Sequence, residues 1–322
     1  MTSAPVLNIR GLSVSLGRNG PLVLQQVDLH VAPGELLGVV GESGAGKSVT
    51  GAAISGLLTP PLVQVAGEIW FEGQRIDTLG SSEMRRLRGA GIGMVFQDPL
   101  AALNPVFTIG RQLTQTISIH HTLNRADVQR RAISLLSEVG IPAPEERLSS
   151  YPHELSGGMR QRVVIAMALA GNPRLIIADE PTTALDVSIQ AQILALLREL
   201  TRRLGVAILL ITHDMGVIAE AADRVIVLYA GRVAEDGPAV EVLTRPRHPY
   251  TRGLVNSIPE IGAGLERLQQ IPGAMPSVGA SISGCAFHPR CEDALSVCSQ
   301  TQPSPTARAD GVTVACWAEA AK

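Results

Sequence analysis

The stretch that most limits what this chain can fold into is Leu36-Leu37-Gly38-Val39-Val40, which runs directly into Gly41-Glu42-Ser43-Gly44-Ala45-Gly46-Lys47-Ser48. A short apolar run opened by Pro33-Gly34 and closed by Gly41 has the pattern of a buried strand. The spacing that follows is G-x-x-x-x-G-K-S. Its glycines let backbone N–H groups wrap phosphates, its lysine reaches their outer oxygens, and its hydroxyl sits on Mg²⁺. Gly41 to Ser48, with Val49 entering the next helix, are therefore candidate phosphate-binding residues. Strand, glycine loop and helix in that order imply an α/β sheet that presents ligands at its strand ends. The chain has 322 residues, 45% of them hydrophobic, and a formal charge of −2. That suffices for a full α/β core and a smaller second unit, and it excludes a basic tail or a disordered chain. No apolar run reaches the roughly 18 residues that span a bilayer, and MTSAPVLNIRG lacks a basic segment followed by an apolar one. A soluble, cytosolic protein is expected.

Further chemistry lies at the ends of other apolar runs. Arg174 to Glu180 reads as a buried strand after the Asn172-Pro173 turn, ending in Asp179 and Glu180. Beside a phosphate loop, the first carboxylate suits Mg²⁺ and the second an attacking water. Val206 to Ile211 reads as another core strand, followed by Thr212-His213-Asp214, where His213 could donate to a terminal phosphate. Gln97, after the run Ile92 to Phe96, could contact Mg²⁺ or the water. Leu155-Ser156-Gly157-Gly158-Met159-Arg160-Gln161 sets a serine cap and two glycines before a helix expected over Met159 to Ala170. A glycine-flanked helix start can hold an anion through its N–H groups and dipole, although a cap before an ordinary buried helix reads the same in isolation.

Taken in order, GESGAGKS, Gln97, LSGGMRQ, LIIADE, Ala184-Leu185-Asp186 and His213 resemble the ATP-binding cassette (ABC) ATPase domain over roughly residues 6 to 240. The resemblance implies a P-loop NTPase fold: a RecA-like core with an antiparallel β subdomain and a helical subdomain over about 99–170. It implies ATP sandwiched between two cassettes. Ser156, Gly157, Gly158 and Gln161 then belong to the half-site facing the partner's nucleotide, and Asp186 to the loop crossing between cassettes. Ser48, Gln97 and Asp179 would hold Mg²⁺, Glu180 would act as base and His213 would assist at the γ-phosphate. One departure stands out. Members usually stack adenine on an aromatic residue near the N-terminus, but no Phe, Tyr or Trp precedes Trp70, and Leu16 occupies the expected place.

The cassette is expected to end near residue 244, with 245–322 forming a C-terminal extension. Arg245-Pro246-Arg247-His248-Pro249-Tyr250-Thr251 resembles a motif of the oligopeptide/dipeptide and nickel importer ATPases; without that resemblance it is a rigid turn. All four cysteines, Cys285, Cys291, Cys298 and Cys316, fall in the extension. In a cytosolic chain such clustering points to a metal, Zn²⁺ or an iron–sulfur cluster, with no spacing that names which. Gly284-Cys285-Ala286-Phe287-His288-Pro289-Arg290-Cys291 resembles the dipeptide-importer ATPases that carry a [4Fe–4S] cluster, which favours iron–sulfur in a structural role.

The resemblance thus implies an ATPase subunit of a peptide importer at the cytoplasmic face of the membrane. It would pair with a second, similar ATPase as a heterodimer, two transmembrane permeases and an extracytoplasmic binding protein. A nickel chelate is the alternative cargo, and a soluble ABC ATPase with a redox- or iron-sensing tail the alternative class. Arg85, Arg86, Arg88, Arg130 and Arg131 read as helix-surface charges rather than a nucleic-acid patch in a chain of this balance.

Overall fold

The computed structural model describes residues 4–183, 185–258 and 270–320. Along the chain lie β1 (Leu7–Leu16), β2 (Leu22–Val31), β3 (Leu36–Val40), α1 (Lys47–Ile54), β4 (Leu62–Phe71), β5 (Gln74–Arg75), α2 (Ser81–Ala90), β6 (Ile92–Val95), α3 (Pro99–Ala102), α4 (Ile109–His120), α5 (Arg125–Glu138), α6 (Pro144–Arg147), α7 (Gly157–Leu169) and β7 (Leu175–Asp179). Then come α8 (Val187–Leu204), β8 (Ala207–Thr212), α9 (Met215–Ala221), β9 (Arg224–Tyr229), β10 (Arg232–Pro238), α10 (Ala239–Thr244), α11 (Pro249–Asn256), β11 (Thr306–Ala307), β12 (Thr313–Val314) and α12 (Trp317–Ala320). They form two compact units. Unit 1 takes in residues up to Val6, Ala32–Glu35 and Thr78–Leu210; unit 2 takes in Leu7–Val31, Leu36–Asp77 and the chain from Ile211 onward.

In unit 1, β6 pairs in parallel with β7, from Ile92 opposite Leu175 to Val95 opposite Ala178. β7 has β8 as its other neighbour. Strands this apolar, buried on both faces, need helices above and below. Helix α7 is buried nearly all round, through Gly158, Gln161, Val163, Val164, Ile165, Ala166, Ala168 and Leu169. A Cβ on Gly93 of β6 would lie 2.6 Å from the Ala168 carbonyl oxygen, so helix and strand meet at backbone distance. Helix α8 shows why its ends fall where they do. The Asp186 carboxylate accepts from Ile189 N–H at 3.0 Å at its start, and Gly205, at φ 66, ends it in the left-handed region. Between them Ile193, Leu194, Leu196, Leu197 and Leu200 form the buried stripe.

Unit 2 contains an antiparallel sheet ordered β2-β1-β4-β5 and a run of strands ordered β11-β12-β10-β9-β3. In the second, β3 and β9 are parallel, and β10 pairs antiparallel with β9 and with β12. The C-terminal extension contributes to its core: Tyr250, Leu254, Phe287 and Val312 pack with Val40, Ile218, Val225, Val227 and Tyr229. The turn before α11 explains the Arg247-His248-Pro249-Tyr250 string physically. The buried Glu235 carboxylate accepts from the N–H of Arg247 at 2.8 Å and of His248 at 2.9 Å. His248 then caps α11, its Nδ1 accepting from Tyr250 N–H at 3.0 Å.

Burial, with a smaller contribution from the Arg252 charge, lowers the His248 pKa to about 4, so the ring is neutral and able to accept. The unfolded histidine, near 6.5, takes a proton more readily, so this contribution is whole above that value and is lost as pH falls towards 4. Burial raises the Glu235 pKa, a contribution of opposite sign. Between pH 7 and pH 5 the parent chain should lose about 2 kcal/mol more stability than His248→Asn, read by urea unfolding. Equal slopes for the two proteins would show that His248 is not the titrating group.

Candidate functional site

The phosphate-loop residues lie in unit 2, between β3 and α1. Gly41, Gly44 and Gly46 take φ of 157, 86 and 104; a Cβ on Gly41 would sit 2.3 Å from the Leu228 carbonyl oxygen and one on Gly46 2.5 Å from Leu24 Cδ2. Left-handed glycines at 44 and 46 curl the loop so that successive N–H groups line a concavity, the geometry of an anion nest. Lys47 is 6% exposed. Its ammonium donates to the carbonyls of Gly41 at 2.7 Å and Glu42 at 3.0 Å. Ala45 N–H donates to the Glu42 carbonyl at 3.2 Å, while Ser43 and Ser48 are exposed and Val49 is half-buried. A buried ammonium beside a nest at a helix start fits a nucleotide polyphosphate. Leu16, at the end of β1, is 36% exposed. His213, also in unit 2, follows β8 and is exposed.

Unit 1 gathers the carboxylate set. Asp179 ends β7 and Glu180 follows it, both half-buried. The Gln97 amide donates to Glu180 Oε2 at 3.2 Å, and the Thr183 hydroxyl donates to the same oxygen at 3.0 Å. Gln97 and Glu180, 83 residues apart in sequence, thus meet at the ends of paired strands. Glu180 has φ 47, left-handed for a residue with a Cβ, a conformation that persists only where its surroundings fix it. Hard oxygen donors of this kind suit Mg²⁺. Asp186 is held below the usual carboxylate range by the Ile189 N–H and then the Ser188 hydroxyl, so its first task is to cap α8. Ala184, its neighbour in the sequence pattern, lies outside the described residues.

The glycine motif differs from its expected form. Helix α7 begins at Gly157, two residues earlier than expected, because Ser156 Oγ accepts from Met159 N–H at 3.4 Å and draws both glycines into the first turn. Gly157 is exposed, but Gly158 is buried. Gln161 is 1% exposed, and among the described residues neither its amide nitrogen nor its oxygen has a hydrogen-bond partner.

The four cysteines carry no disulfide. Burial raises the thiols of Cys285 and Cys316, and that of Cys291 to about 11. Cys285 is raised further by Cys298 and Cys316, and Cys291 by Cys316 and Cys285, so the four share one neighbourhood. Among the described residues, however, no group of three or more His, Cys, Asp or Glu side chains is placed to hold a metal. The four-thiolate site expected from the sequence does not fit the side chains as they stand. Cys291 ends a turn whose preceding residue, Arg290, is drawn to Glu42 instead.

A family profile described as "ABC transporter" matches residues 24–183, and one described as "Oligopeptide/dipeptide transporter, C-terminal region" matches residues 234–298. The dipeptide transport ATP-binding protein DppD of Bacillus subtilis is 47% identical over 315 residues, covering 97% of this chain and 94% of its own. This chain belongs to the ATP-binding proteins of ABC transporters. The DppD protein of Escherichia coli is 46% identical over 308 residues, covering 95% of this chain and 94% of its own. The solved dimer of the cassette MJ0796, in a post-hydrolysis state with ADP and Pi, is 29% identical with a TM-score of 0.63, covering 72% of this chain and 98% of that one. CbiO1 of Clostridium perfringens, part of the ABC transporter complex cbiONQ, gives 29% and 0.68, covering 76% of this chain and 92% of its own. The cassette is an ATP-hydrolysing transporter subunit whose expected ligands are ATP and Mg²⁺. No helix among the described residues is long and apolar enough to cross a membrane.

Sequence reasoning missed Thr183, whose only signal was its place three residues beyond Glu180, and it missed the tail residues Tyr250 and Arg290, which reach the phosphate loop. It also read both motif glycines as open to a ligand. A Cβ on Gly158 would meet Ile189 Cγ2 at 2.7 Å, whereas one on Gly157 comes no closer than 3.5 Å, to Leu185. Gly158→Ala should therefore destabilise the fold by about 1–3 kcal/mol through overpacking of α7 on α8, with Gly157→Ala near neutral. Urea unfolding of the two variants decides it; matching midpoints would remove the packing explanation.

Proposed function

We propose that this cassette is one of two ATPase subunits that power import of di- or oligopeptides across the cytoplasmic membrane through two permeases. The observation that carries this is the conjunction of a phosphate loop, a Gln97–Glu180 pair and a glycine motif with a match to the oligopeptide/dipeptide transporter C-terminal region over 234–298, in a chain 46–47% identical to two dipeptide-transport ATP-binding proteins. Residues 1–244 form the nucleotide-binding domain and 245–322 the extension, the pairing is heterodimeric, and an extracytoplasmic binding protein delivers the peptide. With no membrane-crossing helix among the described residues, the subunit reaches the membrane through its permeases.

In this reading Gly41 to Val49 cradle the nucleotide, and Leu16 gives adenine apolar contact in place of a stacked ring. Lys47 places its charge at the β/γ oxygens. Ser48, Gln97 and Asp179 would hold Mg²⁺, which would supply positive charge against the charge that spreads over a transferring phosphoryl group. Glu180, oriented by Gln97 and Thr183, takes a proton from the attacking water, and His213 donates to the γ-phosphate. Ser156, Gly157 and Gly158 at the start of α7, with Gln161 one turn on and Asp186 capping α8, face the nucleotide of the second cassette. Hydrolysis then depends on two cassettes closing, because the donors that stabilise the transition state come from both.

In membrane vesicles carrying the whole transporter, ATP should drive accumulation of a labelled dipeptide. Glu180→Gln should bind ATP but release phosphate and move peptide on the order of 10²-fold more slowly or worse. Near-normal phosphate release from that variant would overturn the base assignment, and uptake of nickel chelate in place of peptide would overturn the cargo.

The finer reading of the tail, a [4Fe–4S] cluster on Cys285, Cys291, Cys298 and Cys316 with Zn²⁺ as the alternative, rests on the clustering of the four thiols and on the resemblance of the segment from Gly284 to Cys291 to dipeptide-importer ATPases that carry such a cluster. It would require those side chains to reorient, and no step above runs through it. Protein purified anaerobically should carry about four irons and the visible absorbance of a cluster. Stoichiometric zinc would replace iron in the assignment, and neither metal would remove it.

A further inference from the structure

Glu42, the second residue of the phosphate loop, is gripped from the C-terminal extension at both its backbone and its side chain. Its N–H donates to the Tyr250 hydroxyl at 2.7 Å across 208 residues of sequence. Its carboxylate receives two donors from Arg290, NH1 to Oε2 at 2.7 Å and NH2 to Oε1 at 3.0 Å, across 248 residues. The two parallel bonds match the fork of a guanidinium to a carboxylate, the strongest form of such a pair. Arg290 is otherwise pinned. Its Nε donates to the Pro272 carbonyl at 2.7 Å, NH1 reaches the Tyr229 hydroxyl at 3.3 Å, and the guanidinium carbon lies 5.8 Å from the ring centres of both Tyr229 and Phe287. The arginine side chain is 6% exposed and the glutamate 29%. A pair this far from water is broken at high cost when one partner goes, because the other is left charged and half-desolvated.

Tyr250 is as firmly set. It is fully buried, with its ring 4.6 Å from that of Tyr229 in an edge-on arrangement. The third group of Glu42, its carbonyl, accepts from the Lys47 ammonium at 3.0 Å and from Ala45 N–H. One loop residue therefore joins the extension on one side to the loop's lysine on the other. A phosphate loop works by holding its N–H groups in fixed directions, and fixing one residue's backbone in a single well is worth roughly 5- to 30-fold in an equilibrium.

We propose that Arg290 and Tyr250 are positioning residues for nucleotide binding, through which the C-terminal extension clamps Glu42 and keeps the phosphate loop in its binding shape. The proposal rests on the reading of Gly41 to Ser48 as the ATP phosphate loop. Without the clamp, the loop must be ordered by ATP itself, so the loss falls on affinity rather than on turnover once ATP is saturating.

The test is titration of the full-length chain with a fluorescent ATP analogue, alongside kcat and KM for ATP in the assembled transporter. Arg290→Met should weaken nucleotide binding roughly tenfold and raise KM in proportion, with kcat within about twofold of the parent, and Glu42→Gln should weaken nucleotide binding to a similar degree. The double variant should be no weaker than the worse single one, because both remove the same bond. Arg290→Lys should recover only part of the affinity, since an ammonium lacks the two-pronged fork. Tyr250→Phe removes a single buried oxygen, keeps the packing, and should also raise KM, which serves if Arg290→Met fails to fold. Binding within about twofold of the parent in Arg290→Met or Tyr250→Phe, or a double variant showing the product of the two single losses, would overturn the clamp. Lys47→Ala separates the two levels: it should abolish binding, and if it binds ATP normally the reading of the loop fails before the clamp is reached.

Discussion

The buried ammonium of Lys47 is the interaction around which the loop from Gly41 to Ser48 is organised. A lysine this far from water needs partners, and it finds them in the carbonyls of Gly41 and Glu42, residues of its own loop. That arrangement closes the loop on itself, and closure needs backbone shapes that a Cβ would forbid at Gly41 and Gly46. Strand β3 aims the loop, α1 carries the lysine, and the extension grips Glu42 from outside. The loop is thus held from within by a cation and from without by an ion pair and a hydroxyl.

The carboxylate half solves a different problem. Two acids at a strand end repel, and each needs donors that hold it in place. Here Glu180 Oε2 accepts from two neutral donors, the Gln97 amide and the Thr183 hydroxyl. Its left-handed backbone is the local departure from regular structure that such an orientation requires.

Much of this was legible in the sequence because it rests on local rules. Five apolar residues between Pro33-Gly34 and Gly41 read as a strand and form one; Leu175–Asp179 and Ala207–Thr212 match their expected strands to within a residue or two. The start of α7 was misjudged because the cap bond, from Met159 N–H to Ser156 Oγ, draws both glycines into the first turn, and the burial of Gly158 was invisible because Ile189 lies in another helix. The cysteines show the converse: their clustering is a fact of spacing, but whether thiols converge on one point depends on turns that spacing does not specify.

The sequence by itself determined the chemistry: which residues offer N–H groups, an ammonium, carboxylates and a hydroxyl, and in what order along the chain, since motif spacing and strand pattern are consequences of nearest neighbours. Only the tertiary structure decided who holds whom. Nothing in the string around His248 or Cys291 says that Tyr250 and Arg290 reach back to Glu42, because contacts across more than 200 residues depend on how β9, β10 and the extension pack around Tyr229. Those contacts are set by shape and burial in a shared core, quantities that exist only once the chain has folded.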